Sequence, residues 1–292
     1  ISSARASEMP MASFPDFERA TLSNGLQVVL APRSGVPTVS MNLIVNAGAA
    51  AETADKNGLA VLTPAVMTNG TETLDALEIS DRQQLLGATL GANSAVDYTV
   101  VSMTAIESRL RPSLDLFADV VMNPAFREED FQRARTQQIS GIQQSNRNPG
   151  AIANRVLADA LYGDNSPYGR ATSGTEATVQ SLTPADARAF HDTWFRPDNA
   201  TLVVVGDTTM AELVPELERA FSDWDAPSTP LPERAGVGTP PSYSQPQVLI
   251  VNRPGPQSII MAGRLIDPLN PETEPAITAM NTALGGAFTS RI

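Results

Sequence analysis

The chain is 292 residues long and carries 32 acidic and 20 basic side chains, for a formal net charge of −12, with one histidine and no cysteine. That length suits about two domains with ample core; the acidic excess argues against nucleic-acid or anionic-membrane partners, which need clustered Lys and Arg. The missing thiols exclude cysteine nucleophiles, thiolate metal sites and disulfides, and a single imidazole cannot build the two- or three-histidine set of the usual zinc hydrolases.

No apolar run reaches the roughly 18 residues of a membrane span. The start, Ile1-Ser2-Ser3-Ala4-Arg5, lacks the charged end and apolar stretch of a signal peptide and has no initiator Met, so the chain reads as a processed or internal piece of a longer product. Residues 1–16 read as an N-terminal arm. Asn24-Gly25 between two short β-type runs predicts a hairpin, and a strand alternating Val39, Met41, Leu43 and Val45 follows. Helical spacing covers 57–69, with Pro64 awkwardly inside, then 74–86, with Leu77, Leu85 and Leu86 apolar. A hairpin is expected over 88–94 and 98–106. Helices are expected at 112–122, with Leu114, Phe117 and Val121 facing the core, and at 128–145 and 151–162. Thr183-Pro184-Ala185-Asp186 is a helix start, 201–205 a buried-type strand and 210–224 a closing helix. Pro227, Pro230, Pro232, Pro240, Pro241 and Pro246 make 226–247 an extended linker. Strands at 248–252 and 259–264 and a helix at 274–284 would open a second unit. The reading is an α+β fold: a first domain over 17–225, a linker over 226–247 and the beginning of a second, incomplete domain over 248–292, with a missing continuation beyond Ile292.

That layout resembles the pitrilysin/insulinase family of zinc peptidases, which includes the mitochondrial processing peptidase. The segments that carry the likeness are Thr21-Leu22-Ser23-Asn24-Gly25-Leu26-Gln27-Val28-Val29-Leu30, Ala47-Gly48 with Gly58-Leu59-Ala60 and Gly70-Thr71, Phe190–Asn199 followed by Val203-Val204-Val205-Gly206-Asp207, and the Gly-rich run from Gly285 to Arg291. The resemblance implies, for each domain, a mainly antiparallel sheet packed against helices.

The family's chemistry rests on an inverted motif, H-x-x-E-H, whose two His bind zinc from one helix face while the Glu between them polarises the metal-bound water; a distal Glu completes the site. Aligned on Gly58-Leu59-Ala60 and Gly70-Thr71, the first His falls on Val61, the catalytic Glu on Pro64 and the second His on Ala65. The distal Glu falls near Gly141, and a further acidic position near Ala134. None of these side chains offers a metal a lone pair or can act as a base. Pro64 would also kink or restart the helix, at about 3 kcal/mol in mid-helix. The resemblance therefore implies no catalytic residue, metal or cofactor in this chain and a zinc-bearing homologous half or subunit as its partner. Extended peptide would be the substrate of the pair, and the family's setting suggests a periplasmic or exported protein. The alternatives are an interaction or chaperone-like module, and a metallopeptidase whose ligands come from elsewhere.

The remaining polar features have plain readings. His191 lacks a nucleophile signature and reads as a partly buried helix residue near Trp194. Asp115, Asp119, Glu128, Glu129 and Asp130 read as a solvated face and first-turn acids. Phe117, Trp194, Phe195, Phe221 and Trp224 read as core or domain-edge aromatics. By the resemblance, Gly285, Gly286 and Arg291 would lie near the substrate channel.

Overall fold

The computed structural model describes residues 16–254, 258–266, 268 and 270–286. Its centre is a six-stranded sheet in the order β1-β2-β6-β3-β5-β4. The strands are β1 (Glu18–Thr21), β2 (Gln27–Pro32), β3 (Thr38–Val45), β4 (Thr89–Ser94), β5 (Thr99–Ile106) and β6 (Ala200–Gly206). All neighbours are antiparallel except β2 and β6, which pair in parallel from Gln27↔Thr201 to Pro32↔Gly206. The expected hairpin at Asn24-Gly25 forms: Gly25 has φ +94°, and the Asn24 amide donates to the carbonyls of Phe221 and Trp224.

One sheet face is apolar because period-2 alternation sends Val39, Met41, Leu43 and Val45 the same way as Val28, Leu30, Val101, Met103, Leu202 and Val204, all buried. The other face is partly open, and Ser40 and Thr104 hydrogen-bond across it at 3.2 Å. The strand expected over 201–205 is therefore buried on one face only, with Val205 exposed.

The helices are α1 (Leu59–Met67), α2 (Ala76–Leu86), α3 (Leu110–Met122), α4 (Glu128–Ser145), α5 (Pro149–Tyr162), α6 (Glu176–Ser181), α7 (Pro184–Trp194), α8 (Met210–Ala220) and α9 (Glu274–Asn281). The Thr183 start is a full capping box with Asp186. Phe117 of α3 meets Phe221 edge-on, with ring centroids 6.3 Å apart, and the Trp224 indole donates to the Phe195 carbonyl at 3.1 Å. The five aromatics thus join α3, α7 and the end of α8 in the core.

The expected helix over 74–86 forms as α2; its apolar Leu77 and Leu85 point to solvent, and Ile79 is the residue that it buries. Two expectations need correction. The closing helix stops at Ala220, and Phe221 and Trp224 turn into the core beyond it. Residues 248–252 and 259–264 form no strand, since no strand among the described residues pairs with them and an unpaired strand has no ladder to hold it. Val248, Ile250 and Ile260 stay exposed.

The Pro-rich stretch has no regular structure but is tied down. The buried Arg196 grips Asp198 through two hydrogen bonds and donates to the carbonyls of Thr229 (2.6 Å) and Pro227 (3.1 Å). Farther on, the Ala235 amide donates to Ala50, Arg234 to the Asp97 carbonyl, Tyr243 to Ala160 and Arg253 to Asn146. Arg196→Met is expected to remove both carbonyl anchors and leave Asp198 unpaired. Stability should fall by about 2–3 kcal/mol, and limited proteolysis within 227–234 should accelerate several-fold; an unchanged digestion pattern would show that the anchors do not hold the stretch.

Candidate functional site

The site is built around the start of α1. Gly58, at φ +103°, precedes the helix, and a Cβ there would stand 2.8 Å from both the Ser173 carbonyl oxygen and Val179 Cγ2, so only glycine fits. The helix N-terminus has no ordinary capping side chain; Glu52 supplies the acceptors instead. Its Oε1 accepts from the Asn57 amide at 2.7 Å and from Gly58 N at 3.0 Å, and its Oε2 accepts from Ala60 N at 2.9 Å. Burial pushes the Glu52 carboxyl above its usual range, and these bonds only partly offset that. From α4, the Gln138 amide donates to the carbonyls of Gly58 and Ser173, fastening α4 and the loop before α6 to the same point.

Pro64 sits inside α1 without breaking it; the restart expected from sequence is absent and α1 runs unbroken from Leu59 to Met67. Proline lacks the N–H that would bond the Ala60 carbonyl. The next turn closes regardless, with Thr68 N bonding the Pro64 carbonyl and Asn69 Nδ2 the Ala65 carbonyl at 2.8 Å. Burial of Leu62, Thr63, Pro64, Val66 and Met67 holds the helix in place.

Val61 and Ala65, one turn apart, line a cleft of about 410 Å³ between α1 and α4, together with Asn69, Arg133, Ala134, Gln137 and Gln138. The structure thus brings three of the aligned motif positions, Val61, Ala65 and Ala134, to one place. Pro64 is buried and is not among the lining residues, and Gly141 lies farther along α4, exposed, with nothing within 4 Å of its would-be Cβ. The lining does not fit zinc: it contains no imidazole or carboxylate, and its one charged side chain, Arg133, is a cation paired with Asp130. Among the described residues no group of three His, Asp or Glu could hold a metal.

The glycines of the other motif segments mark close backbone approaches. A Cβ on Gly48 would lie 2.3 Å from the Ala95 carbonyl oxygen, because Ala49 and Ala50 donate to Ala95 and Val96 in the β4–β5 turn. Gly70 leaves room for Arg127, which reaches past it to the Thr71 and Leu74 carbonyls.

His191 is buried, with Nε2 2.8 Å from the Val121 carbonyl and Nδ1 3.3 Å from Asp192; it stacks on Phe195 rather than on Trp194. The imidazole holds the Asp192 carboxyl below its usual range. Among the described residues no hydroxyl hydrogen-bonds to it, and its bond to Val121 ties α7 to α3. Of the acidic run, Asp130 is buried between Arg127 and Arg133 rather than solvated, while Asp115 pairs with Arg219 at 2.6 Å. Gly285 and Gly286 lie exposed in the turn after α9, and Arg291 lies outside the described residues.

Sequence reading missed Glu52 and Gln138, the residues that organise the start of α1. Neither belongs to a spacing pattern; each acts by reaching backbone groups that only the fold brings near.

Comparison with known proteins agrees with this architecture. Residues 27–176 match the family described as Insulinase (Peptidase family M16), and residues 181–292 match the Peptidase M16 inactive domain. The chain belongs to peptidase family M16. It is 26% identical over 278 residues to an uncharacterized zinc protease of Streptomyces coelicolor, covering 94% of this chain and 60% of that one. It is 28% identical over 276 residues to an uncharacterized zinc protease of Mycobacterium tuberculosis, covering 94% and 62%. The chain therefore spans about three fifths of the length of these relatives. A Pseudomonas fluorescens peptidase M16 inactive domain superposes with a TM-score of 0.69 at 25% identity, covering 76% of this chain and 54% of that one. A Helicobacter pylori protease shares the fold with a TM-score of 0.71 at 23% identity, covering 78% and 55%. The periplasmic protease PqqL of Escherichia coli does so with a TM-score of 0.64 at 22% identity, covering 76% and 26%. Among the described residues no helix is long and apolar enough to cross a membrane.

Proposed function

We propose that this chain is the non-catalytic member of an M16 peptidase, pairing with a homologous half or subunit that bears H-x-x-E-H and zinc, and completing a chamber for extended peptides. The observation that carries this reading is the cleft between α1 and α4, where Val61 and Ala65 stand at the aligned histidine positions and only amides, apolar groups and Arg133 surround them. The two family matches support placing both segments in an M16 peptidase. The division into a first domain over 17–225 and the opening of a second over 248–292 belongs to the same proposal, as does a periplasmic or exported setting.

Peptide would bind by strand addition at β4. This strand is a sheet edge, and it packs beside α1. Main-chain pairing gives affinity with little sequence preference, which suits a chamber that accepts varied peptides.

The test is a peptidase assay on a pool of unstructured peptides, with this chain alone, with its zinc-bearing homologue, and with chelator. Cleavage that needs or rises strongly with the mixture supports the reading. Chelator-sensitive cleavage by this chain alone would show that ligands come from elsewhere. No effect on the homologue would favour an interaction module independent of proteolysis.

A further inference from the structure

We infer that Gln83 sets the register and the end of the strand-pairing edge of β4, restricting an added extended peptide to main-chain pairing at Ala92 and Ser94. The inference rests on the reading of β4 as the docking edge and adds a positioning residue to it.

The parity of the β4–β5 ladder is fixed by its turn, where Ala95 N donates to the Tyr98 carbonyl at 2.8 Å. In an antiparallel pair, alternate residues turn both N–H and C=O away from the partner strand. With Leu90↔Met103, Ala92↔Val101 and Ser94↔Thr99 in register, the main-chain groups of Leu90, Ala92 and Ser94 face outward from the sheet. Those of Gly91 and Asn93 face β5.

One of the three outward amides is already taken. Leu90 N donates to the Gln83 side-chain Oε1 at 2.9 Å. Gln83 lies in the last turn of α2, and its own carbonyl accepts Ala88 N at 2.9 Å as the chain leaves the helix through Gly87 at φ +63°. Backbone and side chain of one residue therefore clamp the helix end against the start of β4, and the side-chain amide oxygen occupies the place of a neighbouring strand's carbonyl. The Ala92 and Ser94 amides have no hydrogen-bond partner among the described residues. They are two residues apart, about 6.8 Å along an antiparallel strand, which matches the spacing of successive outward carbonyls on an incoming extended peptide. At Leu90 the added ladder meets Gln83 and stops.

Residue-resolved amide hydrogen exchange tests this on the full chain together with its zinc-bearing homologue, with and without a mixture of unstructured synthetic decapeptides. In the wild type, the Leu90 amide is expected to be slow without peptide, and peptide should slow Ala92 and Ser94 alone. In Q83A the Leu90 amide should exchange about fivefold to tenfold faster without peptide, the effect of one lost hydrogen bond, and should regain protection when peptide is added. Q83E, whose carboxylate can accept the same bond, should restore the wild-type footprint. A merely structural role for Gln83 would speed exchange without lengthening that footprint. Gln83→Met keeps the side-chain volume without the acceptor and gives the same readout should Q83A fail to fold. If peptide slows Ala92 and Ser94 but Leu90 gains nothing in Q83A or Q83M, the role of Gln83 is overturned and the docking edge stands. If Ala92 and Ser94 show no slowing at all, docking at β4 is overturned and the inference with it.

Discussion

Purified protein is expected to hold no stoichiometric zinc, whereas the variant V61H/P64E/A65H/G141E is expected to take up one zinc with an affinity of about 1 µM or tighter, about −8 kcal/mol. Val61 and Ala65 already line one cleft a single turn apart, the separation that lets two imidazoles share a metal. Gly141 lies outside the cleft lining, two turns beyond Ala134 on the same face of α4, and the open space beside its Cα leaves a Glu there free to reach toward the cleft. Replacing Pro64 also restores the N–H missing from α1. Metal analysis after dialysis reads the result directly. Zinc in the unaltered chain, together with chelator-sensitive cleavage, would mean that carboxylates outside the aligned positions form a centre. A variant that binds none would mean that the motif does not map onto this pair of helices.

Glu52→Ala is expected to destabilise the protein by about 3–5 kcal/mol, read as a lower denaturant midpoint at unchanged slope. The substitution leaves the Asn57 amide and the N–H groups of Gly58 and Ala60 without acceptors in a buried place where water cannot substitute. The effect also has a direction in pH. Desolvation raises the folded-state pKa of Glu52 above 4.5, so the folded protein holds this proton more tightly than the unfolded chain. The ionisation-linked contribution of Glu52 is thus fully present below pH 4.5 and declines as the pH rises through the raised folded value. The stability difference between wild type and E52A should shrink across that window. A difference that grows with pH there would mean that the three donors outweigh burial.

Patterns carried by many residues could be read from the sequence. Alternation placed β3 and its buried residues, and Thr183 with Asp186 marked the start of α7. The glycines at 48, 58 and 70 were visible as motif members, but the reason for them was not, since the carbonyls and the guanidinium that exclude a Cβ belong to distant segments. One misreading has a physical cause. Pro64 suggested a kinked or restarted helix because local propensity ignores burial, and here the residues around it are buried and α1 continues through it. At the site, Val61, Ala65 and Ala134 line one cleft while Pro64 and Gly141 do not, and Glu52, Gln138 and Gln83 carry no sequence signature because each recognises main-chain atoms.

The parallel pairing of β2 with β6 governs the order in which the protein can assemble. Val28 must meet Leu202, and Leu43 meets the same residue from the other side, so the middle of the sheet is supplied by a strand from the far end of the domain. Until β6 arrives, β2 and β3 each present an open edge, and closure carries the entropy of a very long loop. Folding of this kind falls in the millisecond-to-second range and leaves sticky intermediates exposed meanwhile. During synthesis nothing before residue 206 can complete the sheet, and truncations that remove β6 should yield aggregation-prone fragments rather than a smaller stable core.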